Sequence, residues 1–150
     1  MLSLIRKDSK FVWTSECSES FEKIKNSLIN APILVQPNHQ NEFILSTDAS
    51  SYALGAVLEQ FDEQKNLRVI AYYSRTLQKA ERNYLSYEKE ALAVIAALKN
   101  FRSYLIGRKF TIYTDNSAVA SLYKAKDSYG RITRWIQVLS EFDATSNKGK

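Results

Sequence analysis

An α/β fold with a mixed sheet is predicted by three features of the sequence. Three strand-like segments, 42–48, 52–60 and 68–74, follow one another through short turns. A long segment with helical periodicity, 81–105, comes next. A fourth strand-like segment, KFTIYTD at 109–115, follows it. Strands joined by short turns pair antiparallel, whereas a strand reached through a helical crossover pairs parallel to an earlier one. The expected sheet therefore has three antiparallel strands, then a parallel strand after the crossover, with helices flanking it.

MLSLIRKDSKFVW carries no apolar run long enough for a signal peptide or a membrane span. TSECSESFEKIKNSLIN, 14–30, opens with cap-forming residues and then spaces Phe21, Ile24, Leu28 and Ile29 as a helix does. Ala31-Pro32 stops that helix, because proline disfavours a helical predecessor. Residues 33–35 form a short extended piece, and QPNHQN after it is rich in turn formers. The domain boundary is expected there, separating 1–37 from 38–150.

In the first strand Phe43, Leu45 and Thr47 share one face, and Ile44, Ser46 and Asp48 the other. FDEQKN makes the turn before the third strand. Over 81–105, Tyr84, Tyr87, Ala91, Val94, Ile95, Leu98, Phe101 and Leu105 line one stripe at about 100° per residue. Gly107 is the expected stop. Two helical pieces, 117–124 and 131–142, and a polar tail, ATSNKGK, complete the chain.

Composition narrows the classes. A 45% hydrophobic fraction with 12% aromatics supports a packed core in 150 residues and argues against disorder. One cysteine, Cys17, excludes an internal disulfide and a cysteine-cluster zinc site, and the only histidine is His39. The net charge of +5 suits a polyanionic partner without requiring one. The sequence reads as soluble and intracellular, without choosing between nucleus and cytoplasm.

Two strands end in the same dipeptide, STD at Asp48 and YTD at Asp115. If the fourth strand runs parallel beside the first, both carboxylates meet at one end of the sheet, where α/β folds place their sites. Like charges at close range need a proton or a cation, and magnesium prefers oxygen donors. The alternative is a pair of turn residues closing two strands. The helix between them offers Glu88 and Glu90. By helical spacing Glu90 lies about 70° from the centre of the apolar stripe and Glu88 about 90°, so geometry leans only slightly to Glu90.

Five blocks carry a family resemblance: FVWTSECSESFEKIKNSLINAPIL, STDASSYALGAVLEQ, IAYYSRTLQKAERNYLSYEKEALAVIAALKNFRSYLIG, KFTIYTDNSAV and RITRWIQVLSEFD. In this order, from about Phe11 to Asp143, the chain resembles the ribonuclease H domain of reverse transcriptases from gypsy-class LTR retrotransposons. The resemblance implies a ribonuclease H-like mixed sheet, with 1–37 as the end of the connection region that follows the polymerase. It implies an endonuclease that cuts the RNA strand of an RNA–DNA hybrid, within a longer polyprotein that includes a polymerase domain. No membrane partner is expected.

By motif position Asp48, Glu90 and Asp115 match three catalytic acids of the family. The implied cofactor is a pair of magnesium ions, with manganese as an alternative. Asp48 would bridge both ions, and Glu90 and Asp115 would help hold the one near the leaving oxygen. Arg75, Lys79, Arg82, Asn116, Arg131 and Arg134 are the candidate substrate contacts, since phosphate contacts dominate nucleic-acid affinity. Asn116 stands where the family usually has histidine. The family's fourth acid lies in an ADALSR-like segment that is not in this sequence, and Asp143 comes too early in motif order to replace it. The domain is therefore expected to lack its last helix, being truncated at its C-terminal end. A catalytically impaired or domesticated module, keeping the fold for nucleic-acid or protein binding, is the second reading.

Overall fold

The computed structural model describes residues 11–29, 34–114 and 130–148. The chain forms two compact units, Met1–Ile33 and Leu34–Lys150. In the first, α1 runs from Ser15 to Ile29. Thr14 caps it: the Cys17 N–H donates to Thr14 Oγ1 at 3.4 Å, and the Ser18 N–H to the Thr14 carbonyl at 3.1 Å. Trp13 packs edge-on against Phe21, with ring centroids 6.1 Å apart. Phe21, Ile24 and Ile29 remain exposed.

The second unit is built on β1 (Phe43–Ala49), β2 (Ala53–Phe61), β3 (Leu67–Thr76), β4 (Lys109–Thr114) and β5 (Asp143–Lys148). Among the described residues these five strands form one sheet in the order β3-β2-β1-β4-β5. β1–β2 and β2–β3 are antiparallel, and β1–β4 and β4–β5 are parallel. The alternation read from β1 holds: Phe43, Leu45 and Thr47 are buried, whereas Asp48 is exposed. The buried face packs beneath α2 (Ser86–Asn100), which contributes Ala91, Val94, Ile95 and Leu98. A short α3 (Arg102–Leu105) follows, and α4 (Arg131–Ser140) closes the layer with Trp135 and Leu139. No helix among the described residues is long and apolar enough to cross a membrane.

Two expectations need correction. The segment 81–105 is not one helix but a 3-10 turn at Glu81–Asn83, then α2, then α3. Tyr84 and Leu85 are extended, with ψ of 150° and 158°. The extended pair lets the Glu88 carboxylate turn back and accept the Leu85 N–H at 3.0 Å, satisfying a donor at the helix start. The apolar stripe continues through this break, so periodicity alone reads it as continuous helix.

The second correction concerns the tail. Residues 143–148 form β5, paired with β4 along its whole length from Lys109↔Asp143 to Thr114↔Lys148. DATSNK lacks apolar alternation because backbone pairing at the sheet edge, rather than side-chain burial, holds it. The helix expected at 117–124 lies outside the described residues, and the one expected at 131–142 ends at Ser140.

Candidate active site

The topology decides which side chains can meet. β2 is antiparallel to both β1 and β3, so β3 runs in the direction of β1 and β4. The helix leaving β3 must return to the start of β4. Its first turns therefore lie at the carboxyl ends of β1 and β4. Asp48 is the penultimate residue of β1, and Glu90 sits in the first turns of α2, so both belong to that end of the sheet. Asp143 opens β5 opposite Lys109, at the other end.

The two acids differ in environment. Asp48 is exposed on the sheet face turned away from α2, and its side chain makes no hydrogen bond or ion pair among the described residues. Glu90 is buried, with Oε2 shielded from solvent. On β4, Tyr113 pairs with Ser46, and Thr114 is the last described residue of the strand. Asp115 and Asn116 lie outside the described residues. Among the described residues no group of three or more His, Cys, Asp or Glu side chains is arranged to hold a metal ion.

The donor chemistry at this end fits a hard cation. Asp48 and Glu90 bring only carboxylate oxygens, the ligands magnesium and manganese favour. The softer donors are elsewhere in the chain: Cys17 belongs to the first unit, and His39 precedes β1, at the far end of that strand.

The cationic candidates divide into two groups. Arg75 forms a two-pronged pair with Glu81, Nη1 to Oε2 at 2.7 Å and Nη2 to Oε1 at 2.9 Å. The hydrogen bond from Arg75 holds the Glu81 carboxyl below its ordinary value, with burial opposing and the Gln78 N–H adding to the effect. Arg131 pairs with Glu88 and lies over Tyr84, its Cζ 3.8 Å from the ring centroid. By contrast, Lys79, Arg82 and Arg134 are exposed. Arg82 Nε reaches the Leu77 carbonyl at 3.4 Å and Arg134 Nε the Gly130 carbonyl at 3.3 Å, both within their own segments.

Two features escaped the sequence reading. Thr47 and Thr114, the threonines preceding each aspartate, have buried Oγ1 atoms with no hydrogen-bond partner among the described residues. Strand alternation put Thr47 on the inward face, and the doubled TD dipeptide was the signal that linked it to Thr114. Glu88 is buried as Glu90 is, and serves Leu85 and Arg131. Its position three residues after Leu85 is the spacing of a capping acid, hidden because leucine is not a capping residue.

A mixed sheet of order 3-2-1-4-5, with the Asp48 carboxylate at the end of its central strand, is the arrangement of the ribonuclease H-like class. The chain belongs to the family of the RNase H-like domain found in reverse transcriptase, whose family model matches residues 13–112. It is 42% identical over 143 residues to the retrovirus-related Pol polyprotein from transposon 297 of Drosophila melanogaster, covering 95% of this chain and 13% of the relative. It is 33% identical over 149 residues to the transposon Tf2-3 polyprotein of Schizosaccharomyces pombe, covering 97% and 11%. The chain thus spans about an eighth of the length of the polyproteins it matches.

Among solved structures, the foamy viral protease-reverse transcriptase in complex with dsDNA aligns with a TM-score of 0.74 at 23% identity, covering 99% of this chain and 32% of that one. The same kind of protein in complex with an RNA/DNA hybrid aligns at 0.71 and 23%, covering 99% and 21%. The PFV RNase H domain in solution aligns at 0.52 and 21%, covering 73% and 79%. These likenesses show the fold.

Proposed function

We propose that this chain is the ribonuclease H domain of a retrotransposon reverse transcriptase, hydrolysing the RNA strand of RNA–DNA hybrids with divalent cations. The observation that carries this reading is the placement of Asp48 and Glu90. One is exposed and one buried, at the same end of the sheet, in a chain of the RNase H-like family. Asp48, Glu90 and Asp115 would hold the cations. When bound, magnesium or manganese supplies an activated water and neutralises charge on the scissile phosphate.

The chain's own residues supply the rest. Asp48 presents its carboxylate outward, to the side from which a duplex can approach. The buried Glu90 is held on a helix, so its reach is restricted. Lys79, Arg82 and Arg134, exposed at the surface, offer contacts to the phosphate backbone. The 2′-hydroxyl is the feature that separates RNA from DNA as substrate. In a full polyprotein the polymerase portion would be the natural neighbour of such a domain.

The test is incubation of the chain with an end-labelled RNA–DNA hybrid and magnesium. Internal cuts in the RNA strand, an intact DNA strand, and loss of cutting in Asp48→Asn and Glu90→Gln are expected. Cleavage unchanged by Asp48→Asn would remove that residue from the site. Hybrid binding without any cleavage would favour the non-catalytic binding module instead.

A further inference from the structure

The entry to the helix that carries Glu90 is gripped by one arginine from another helix. Glu88 spends Oε2 on the Leu85 N–H at 3.0 Å and Oε1 on Arg131 Nη2 at 2.5 Å. The Arg131 Cζ also lies 3.8 Å from the Tyr84 ring centroid and 5.4 Å from that of Trp135. The two rings are themselves neighbours, with centroids 6.2 Å apart. Tyr84 and Leu85 are the extended residues that break the helical segment. Arg131 therefore holds both the approach to α2 and the acid in its first turn.

A guanidinium committed in this way is poorly placed to track a phosphate backbone. It has one carboxylate partner and two aromatic neighbours, and its Nε is buried without a hydrogen-bond partner among the described residues. Arginine suits the role because its planar group pairs and stacks at once, which an ammonium does not.

We propose that Arg131 is a positioning residue for Glu90 and not a contact to the nucleic acid. By clamping Glu88 and Tyr84 it fixes where α2 begins, and so where Glu90 presents its carboxylate at the end of the sheet that carries Asp48. The proposal rests on the cation-dependent reading above. Residues that orient metal ligands commonly alter metal affinity tenfold or more when removed.

The test measures manganese affinity of the full chain by electron paramagnetic resonance, which requires no turnover. Salt dependence of hybrid binding is measured alongside, in an Asp48→Asn background where cleavage is off. Arg131→Gln and Glu88→Gln should each weaken manganese binding about tenfold. The double variant should be no worse than either single one, because both break the same clamp. Arg131→Lys should fall between, restoring the charge but not the stack. The slope of log affinity against log salt should not change.

Arg131→Gln with intact manganese affinity and a slope reduced by about one would overturn the proposal in favour of a phosphate contact. A lowered melting temperature with unchanged manganese affinity would overturn it in favour of a purely structural clamp. If Arg131→Gln does not fold, Tyr84→Leu removes the stacked ring alone: weakened manganese binding supports the clamp, and unchanged manganese binding overturns it. Asp48→Asn is the control for the underlying reading: manganese binding that ignores this substitution defeats that reading, and this proposal with it.

Discussion

At the end of the sheet where β1 begins, the buried side chain of Gln60 closes on backbone. Gln60 accepts the Asn38 N–H at 2.9 Å and donates to the Asn38 and Asn41 carbonyls, each at 2.9 Å. Arg108 donates to the His39 carbonyl at 2.8 Å. At the opposite end, where β1 and β4 finish, side chains pair with side chains, Arg75 with Glu81 and Arg131 with Glu88. Asp48 there is left without a partner among the described residues. The difference teaches how to separate polar residues that hold a fold from those that wait for a ligand. The former find backbone or counter-charge within the chain, whereas Asp48 faces outward.

This contrast can be broken by substitution. Asp48→Asn should reduce hybrid cleavage at least about 100-fold, roughly 2.7 kcal/mol of barrier, while leaving thermal stability unchanged or higher. An assay paired with a melting curve checks both. Gln60→Ala should do the reverse. Losing its hydrogen bonds should cost about 2 kcal/mol in denaturant unfolding, with cleavage by the folded fraction preserved.

Glu81→Gln should cost less, about 1 kcal/mol near neutral pH, because its partner Arg75 is partly exposed. The pH dependence has a definite sign. The folded-state pKa of Glu81 lies below its ordinary value of 4.5, so its contribution is present above that pH. It is lost as the pH falls through the folded-state pKa. The stability gap between wild type and Glu81→Gln should therefore close on acidification, which urea unfolding at a series of pH values will show. The smallest effects belong to Lys79→Ala and Arg134→Ala, with stability within about 0.5 kcal/mol of wild type. Each should still lower the salt slope of hybrid binding by about one.

Much of the fold was legible because the strands carry it in alternation. Phe43, Leu45 and Thr47 faced inward as their period of two required, and the crossover made β4 parallel. The break at Tyr84 and Leu85 was hidden because the apolar stripe runs through it. β5 was hidden because an edge strand held by backbone pairing needs no apolar face. At the site, helical geometry could not choose between Glu88 and Glu90, and both are buried. Glu88 is claimed by Arg131, more than forty residues onward, a pairing that the sequence spacing does not reveal. Arg75 and Arg131 read as free cations in sequence because the acids that claim them come together only through the fold.

The carboxylates of Asp48, at the end of β1, and Glu90, in the first turns of α2, are proposed to form a cation site. Thermal unfolding of wild type and Asp48→Asn, each with and without saturating magnesium, tests it most directly. Magnesium should raise the melting temperature of wild type, since a ligand bound only to the folded state stabilises it. Asp48→Asn should lose that rise, and without magnesium should melt no lower than wild type. An equal magnesium-dependent rise in both proteins would contradict the account.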